Sequence, residues 1–150
     1  MELFVDTSAL AKYYYPEPGS EDVEALLLEA ERVFVSRLCI VEMASALAKK
    51  RPVREIGKDA ETRIWNAFQD DLRSEILDLV PLDEDIVSRA AALIRDLGAH
   101  EGLRALDALQ LASAMNHRGA LFLSADQRLS RIAALVGLSV LSPPQDDAGK

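Results

Sequence analysis

Four acidic side chains stand alone in weakly polar stretches of the sequence, and their isolation is the first sign of chemistry. Each is the only charged residue in its window, and the four are Asp6 (window 3–11), Glu42 (38–48), Asp107 (105–117) and Asp126 (119–127). Burying an ionised carboxylate without a partner costs several kcal/mol. Each acid therefore needs a hydrogen-bond donor, a basic neighbour or a cation.

A shared divalent cation is the interpretation that accounts for all four acids together. The chain contains one cysteine, Cys39, and two histidines, His100 and His117, so a structural zinc site of the Cys/His type is not available. Carboxylates grouped without Cys or His suit hard cations, which favours Mg²⁺ or Mn²⁺. Such an ion can activate a bound water for hydrolysis, so the chemistry requires no nucleophilic side chain.

Two structural interpretations compete with a metal site. Each acid lies near the start of a predicted helix, where a carboxylate can cap the backbone or gain roughly 0.3–1 kcal/mol from the helix dipole. For Asp6 taken alone, capping explains the residue as well as a functional role does. Capping suits Asp126 well. It suits Glu42 poorly, because Glu42 lies about a turn inside its helix. Alternatively, Arg37 and Arg104 could each neutralise one acid.

The elements that must position these acids follow from hydrophobic patterning. Short apolar runs alternate with helical patterns, which predicts an α/β fold, a three-layer α/β/α sandwich around a mostly parallel five-stranded sheet. The strands are predicted at residues 3–5, 33–35, 76–80, 120–123 and 139–141. Ligands of such folds bind beyond the carboxyl ends of the strands, where the strand order reverses. Asp6 and the group Ser124-Ala125-Asp126 follow the first and fourth strands.

Finer features of the pattern give further expectations. Gly98 is predicted to end the helix that follows the third strand, and His100 to lie in a polar connection. Trp65 and Phe68 are predicted to be core or dimer-contact residues. The serines beside the acids, Ser8 and Ser124, are predicted to be hydrogen-bond donors that orient ligands, or plain helix caps.

Composition limits the class of protein. The chain has 150 residues, 49% of them hydrophobic and 28% charged, as expected for one globular domain at residues 1–141 with a flexible tail at 142–150. The sequence contains no apolar run of about 20 residues and no signal-peptide pattern, and a lone cysteine fits a reducing cytoplasm. The net charge of −8 argues against a broad basic surface for nucleic acid. The densest basic cluster is Lys49, Lys50, Arg51 and Arg54, which is more simply a solvated helix end.

Four segments of the chain resemble the PIN domain nucleases, and among them the VapC-like toxins of bacterial toxin–antitoxin pairs. The segments are FVDTSAL (4–10), VEMASAL (41–47), LRALDALQLASA (103–114) and FLSADQRL (122–129). In order and spacing they cover nearly the whole chain. The third is specific, and the others are weak singly but strong together.

The resemblance implies a PIN-like fold and a metal-dependent endoribonuclease that cleaves RNA with a metal-activated water. It implies Mg²⁺, with Mn²⁺ as a substitute, held mainly by Asp6 and Asp107, while Glu42 and Asp126 complete the catalytic acidic pocket. It further implies a homodimer and a small antitoxin protein whose tail blocks the site. Lys49, Lys50, Arg51 and Arg104 are the basic residues available for an RNA path.

Two other functions are compatible with acids at strand ends. One is phosphoryl transfer through an aspartyl intermediate in a Mg²⁺-dependent domain, although the dehalogenase type of that chemistry places a second aspartate where Ser8 stands. The other is a PIN-like scaffold that binds a partner protein without catalysis. The presence of all four acids speaks against the scaffold, and a measurement of activity distinguishes the three.

Overall fold

Five parallel strands form the central sheet of the computed structural model, which describes residues 1–50 and 56–141. The strands are β1 (Glu2–Val5), β2 (Arg32–Ser36), β3 (Asp78–Val80), β4 (Leu121–Leu123) and β5 (Val140–Leu141). The helices are α1 (Thr7–Tyr14), α2 (Ser20–Glu29), α3 (Cys39–Lys50), α4 (Lys58–Arg73), α5 (Glu84–Glu101), α6 (Ala105–Met115) and α7 (Gln127–Leu135). The predicted α/β class is confirmed. Arg51, Arg54 and the predicted tail at 142–150 lie outside the described residues.

The sheet is buried on both faces, which explains why its strands are continuous apolar runs. Alternate residues of a strand point to opposite faces. Phe4, Phe34 and Phe122 belong to a core that contains residues of α5, α6 and α7. Leu3 and Val5 belong to a second core, which contains residues of α1, α3 and α4. Helices therefore cover both faces, and the three-layer sandwich is the observed architecture.

The aromatic residues of α4 lie in the second core. Phe68 is fully buried, and the ring of Trp65 packs against it with 5.7 Å between ring centroids. Of the two predicted roles, core or dimer contact, the core role is confirmed for Phe68, and Trp65 is partly buried against the same core. No helix in residues 1–50 and 56–141 is long and apolar enough to cross a membrane.

The strand order reverses at β1. The sheet runs β3-β2-β1-β4-β5, so the chain moves outward from β1 through β2 to β3 and then returns to the other side of β1. The two neighbours of β1 are in register with it, because Phe4 pairs with Phe34 of β2 and with Phe122 of β4. A crevice at the carboxyl ends of β1 and β4 follows from this reversal.

The prediction that Gly98 ends α5 is wrong. The helix continues to Glu101 and ends at Gly102, which has φ +66° and so adopts the left-handed conformation that glycine tolerates best. A glycine inside a helix costs only about 1 kcal/mol relative to alanine and removes no hydrogen bond, so packing can carry the helix through it. His100 accordingly lies in the last turn of α5 and not in a connection.

The third strand begins two residues later than its apolar run. The run starts at Ile76, but β3 starts at Asp78, and Ile76 is largely exposed. The amide of Ile76 donates to the carbonyl of Asp71, which closes the end of α4, and Glu75 has φ +56°. The turn that ends α4 therefore takes the residues that local hydrophobicity had given to the strand.

Candidate active site

Asp6 is a buried carboxylate held by two serine hydroxyls. It follows β1 directly, only 5% of its surface is exposed, and its Oδ2 accepts hydrogen bonds from Ser8 Oγ at 2.6 Å and Ser124 Oγ at 2.8 Å. Asp6 occupies the position before α1, but its side chain makes no capping hydrogen bond to that helix. Burial raises the pKa of Asp6, and the serine hydroxyls, followed by the backbone amides of Ser8 and Thr7, only partly oppose the rise. Capping alone therefore does not account for this acid.

The same serines join the carboxyl ends of β1 and β4. Ser124 Oγ accepts from the backbone amide of Asp126 at 3.0 Å, and Ser8 Oγ accepts from the amide of Ala125 at 3.1 Å. Asp6 is thus connected to Asp126 through one hydroxyl. Both serines donate to an acid, as the sequence predicted.

Glu42 lies in the first turn of α3, where it is partly buried. Thr7 Oγ1 donates to its Oε1 at 3.0 Å, and Gln110 Nε2 donates to the same oxygen at 2.6 Å. Burial raises the pKa of Glu42, the two hydrogen bonds lower it, and the negative charges of Asp6 and Asp107 raise it further. Glu42 is therefore close enough to both acids for their charges to act on it. Arg37, which the sequence offered as a basic partner for one of the acids, is not among the hydrogen-bond donors to Glu42 within the described residues.

Asp107 lies in the first turn of α6 and is bound by two arginines. Its Oδ2 accepts from Arg104 Nε at 3.2 Å and from Arg128 Nη2 at 2.7 Å. The alternative in which Arg104 neutralises an acid is thus observed for Asp107. Arg128 also lies 3.5 Å from Asp126 Oδ2 and donates to the carbonyl of Gly102 at 3.1 Å. It bridges two of the four acids.

Sequence reasoning did not single out Arg128. Its position two residues after Asp126, on the first turn of α7, is the one available signal. The hydrogen bond with Asp107 raises the pKa of Arg128 above its ordinary value, so the bridge carries a full positive charge.

Asp126 behaves as a helix cap, as the structural interpretation expected. Its Oδ1 accepts from the backbone amide of Leu129 at 3.1 Å at the start of α7. Its second oxygen, Oδ2, is the one near Arg128. One carboxylate therefore holds the helix through one oxygen and faces the arginine with the other.

Substituting Asp126 should separate these two roles. Serine at the capping position keeps an acceptor for the Leu129 amide, whereas alanine removes it at a cost of about 1 kcal/mol. We therefore expect Asp126→Ser to unfold near the wild-type temperature and Asp126→Ala to unfold about 2–4 °C lower. Thermal unfolding followed by circular dichroism measures the difference. Equal midpoints for the two variants would show that the cap contributes nothing.

A cavity of about 700 Å³ opens beside the acids. Glu42 and Asp107 line it, together with Ser8, which donates to Asp6. Two basic residues, Lys49 and Arg104, line it as well. Acidic and basic side chains therefore share one open space, which can accept a polyanion that carries a cation.

Other lining residues are apolar and exposed. Val41 is 67% exposed and Leu106 is 50% exposed, and both border the cavity. Of the remaining residues expected to guide RNA, Lys50 lies 3.9 Å from the ring centroid of Tyr15 and 3.6 Å from Glu17 Oε2. Arg51 lies outside the described residues.

The donor chemistry of the site suits a hard cation. Every candidate ligand is a carboxylate, and the negative charges of Asp6 and Asp107 raise the pKa of Glu42, so a bound cation would relieve that repulsion. Among the residues described, no group of three or more His, Cys, Asp or Glu side chains is arranged closely enough to hold a metal ion. Arg128 supplies the positive charge between Asp107 and Asp126 instead.

The chain has recognisable relatives. PIN domains match residues 3–135 of the sequence. The fold is similar to FitAcB from Neisseria gonorrhoeae (21% identity, TM-score 0.66, covering 95% of this chain and 98% of that chain). It is also similar to VapBC2 from Rickettsia felis bound to a DNA fragment from the promoter (16%, 0.63, 95% and 98%) and to VapBC-5, a toxin–antitoxin system member from Mycobacterium tuberculosis (20%, 0.58, 94% and 96%). No curated protein matches the sequence.

Proposed function

Because the chain belongs to the PIN domain family, we propose that it is a metal-dependent endoribonuclease and the toxin of a toxin–antitoxin pair. The observation that carries the proposal is the acidic pair Glu42 and Asp107 in one open cavity, with Asp6 and Asp126 joined to it through Ser8 and Arg128. Residues 1–141 would form the nuclease domain.

The four isolated acids are the proposed ligands of Mg²⁺, for which Mn²⁺ can substitute. Asp6 and Asp107 would be the main ligands, and Glu42 and Asp126 would complete the pocket. When bound, the ion would lower the pKa of a water and neutralise charge on the scissile phosphate. Ser8 and Ser124 hold Asp6 by one oxygen, which fixes the direction of its carboxylate.

Binding of RNA would rest on a small local patch of positive charge, because the protein carries a net charge of −8. Lys49 and Arg104 line the same cavity as the acids, where Arg104 also contacts Asp107, and would bind backbone phosphates. The metal ion would add further positive charge at the cleavage point. A single-stranded segment fits this arrangement, since an open cavity admits a flexible strand.

Replacing Lys49 tests the phosphate contact. We expect Lys49→Gln to raise KM for RNA severalfold with little change in kcat, because the lysine would bind ground state and transition state alike. The slope of log KM against log salt should fall by about 1. Cleavage assays at several KCl concentrations measure both. Lys58→Gln, an exposed change at the start of α4, is the matched control. An unchanged KM and salt slope in Lys49→Gln would remove this residue from the RNA path.

The proposed partners are a cognate antitoxin protein and a second copy of the chain. Structures with the same fold include members of toxin–antitoxin systems. The exposed apolar residues Val41 and Leu106 border the cavity. A partner segment with an apolar side chain could therefore bury Val41 and Leu106 and cover the acids at the same time. We propose a homodimer that acts in the cytoplasm.

The decisive experiment assays the purified protein against total RNA with Mg²⁺, Mn²⁺ or EDTA. Cleavage with either metal, its loss in EDTA and its loss in Asp6→Asn would support the proposal. A folded protein that leaves RNA intact under all conditions would favour the scaffold that only binds a partner. Incorporation of phosphate into the protein, without cleavage, would favour the phosphoryl-transfer domain.

A further inference from the structure

Gln110 is a buried amide without a role in the chemistry described so far. It lies on α6, one turn after Asp107, and only 1% of its surface is exposed. Its neighbours Leu111 and Ala112 are fully buried in the core. Burying an amide costs free energy unless its polar atoms form hydrogen bonds, so the contacts of Gln110 should explain its presence.

The amide nitrogen of Gln110 is directed at Glu42. Nε2 lies 2.6 Å from Glu42 Oε1 and 3.1 Å from Thr7 Oγ1, and the Thr7 hydroxyl donates to the same Oε1 at 3.0 Å. An ionised carboxylate can only accept hydrogen bonds, which fixes the amide with its nitrogen toward Glu42. The first turns of α1 and α3 and the middle of α6 therefore meet at one carboxylate oxygen.

The two oxygens of Glu42 are in different situations. Both donors bind Oε1, and in the described part of the chain no donor is bound to Oε2. Glu42 also lines the cavity. One oxygen is thus anchored to the protein, and the other is available to a ligand in the cavity.

The other end of the amide is left unsatisfied. Gln110 Oε1 is buried and has no hydrogen-bond partner within residues 1–50 and 56–141. An unpaired buried acceptor costs about 1–3 kcal/mol. Methionine or leucine would fill similar space without that cost. Packing alone therefore does not explain a glutamine at this position, whereas its contact with Glu42 does.

We infer that Gln110 is a positioning residue that, together with Thr7, holds Glu42 through Oε1 and presents Oε2 to the bound cation. The inference rests on the proposed function, since it concerns the same acidic site. Residues that hydrogen-bond to a metal-ligating carboxylate act by fixing its direction. Gln110 itself touches neither the cation nor the RNA.

Binding of Mn²⁺, measured by electron paramagnetic resonance, tests the inference without any measurement of activity. We expect Gln110→Met to raise the Mn²⁺ dissociation constant about 10-fold or more. The unfolding temperature in EDTA should change by only a few degrees, because the variant loses a hydrogen bond but also an unsatisfied carbonyl. Thr7→Val, which removes the second donor with little change in volume, should weaken Mn²⁺ binding in the same way.

Ser113→Ala is the matched control. Ser113 is buried on the same helix, and its hydroxyl donates to Leu109 and Ser36 but to none of the four acids. It should bind Mn²⁺ as the wild type does. Wild-type affinity in both Gln110→Met and Thr7→Val would overturn the inference, and so would an equal loss in Ser113→Ala. The wild type must also bind Mn²⁺ at a site that Asp6→Asn abolishes. If it does not, the proposed function fails and the inference fails with it.

Discussion

Asp6→Asn is expected to reduce metal-dependent RNA cleavage on the order of 10³-fold or more, while the folded protein becomes more stable. The loss follows from removing the most buried of the proposed ligands, whose Oδ2 is already oriented by Ser8 and Ser124. An asparagine keeps the shape and an acceptor for both serines but not the charge. Cleavage of total RNA, with Mg²⁺ and with Mn²⁺, measures the first effect.

The gain in stability has a definite pH dependence. Burial raises the pKa of Asp6, so the folded protein holds this proton more tightly than the unfolded chain does. Stability from this group is then lost as the pH rises from the unfolded pKa through the folded one. Asparagine removes the effect, so the free energy of unfolding in EDTA should exceed that of the wild type at pH 7, and the difference should shrink toward pH 4.

An exposed acid provides the control for both measurements. Glu24→Gln, on the solvent side of α2, removes the same charge and should change neither cleavage nor stability appreciably. Urea titrations at several pH values give the free energies. If Asp6→Asn cleaved RNA at the wild-type rate, the assignment of the site would be wrong.

Arg128→Gln is expected to tighten metal binding about 10-fold, equivalent to 1.4 kcal/mol, and to destabilise the protein in EDTA. Arg128 pairs with Asp107 at 2.7 Å and lies 3.5 Å from Asp126, so it offsets acidic charge where a cation would bind. A positive charge beside a cation site opposes the cation. Removing it takes one of two arginine partners from Asp107 and the nearby positive charge from Asp126, whereas bound metal would supply positive charge again.

The measurement is Mn²⁺ affinity together with the unfolding temperature at zero and saturating Mn²⁺. The unfolding temperature of Arg128→Gln should be lower than the wild-type value in EDTA, and the difference should narrow with Mn²⁺. Arg131→Gln removes the same charge from the same helix, where Arg131 pairs with Glu101 on the surface. Affinity in Arg128→Gln that equals or falls below that of Arg131→Gln would mean that Arg128 does not oppose the metal.

Local sequence features were sufficient for the fold class, and they singled out the four acids that we propose as ligands. A charge inside an apolar window is visible without any knowledge of the fold, which is why Glu42 and Asp107 stood out. Whether an acid caps a helix depends on side-chain direction. Asp6 and Asp126 occupy the same position before a helix, but only Asp126 makes the capping bond. The local sequences around Asp6 and Asp126 do not reveal which of the two side chains caps its helix.

The partners of the acids could not be found in the same way. Gln110 is a neutral residue in a helical apolar run, and Arg128 is one of two arginines on α7, so neither is unusual in its local sequence. Their importance arises from which helices meet at the carboxyl ends of the strands. Gly98 illustrates a related limit, because the local rule for helix ends applied to the wrong glycine and Gly102 ended α5.

The reversal of strand order at β1 has a consequence for a chain that is still being synthesised. Asp6 emerges among the first residues, but its serine partner Ser124 arrives only with β4, which pairs directly with β1. Asp126 also follows β4 in the chain, so the four acids cannot come together before that strand has been synthesised. A nascent or prematurely terminated polypeptide that stops before β4 would therefore lack the contact between Asp6 and Ser124, because the pocket is completed only when early and late segments pair.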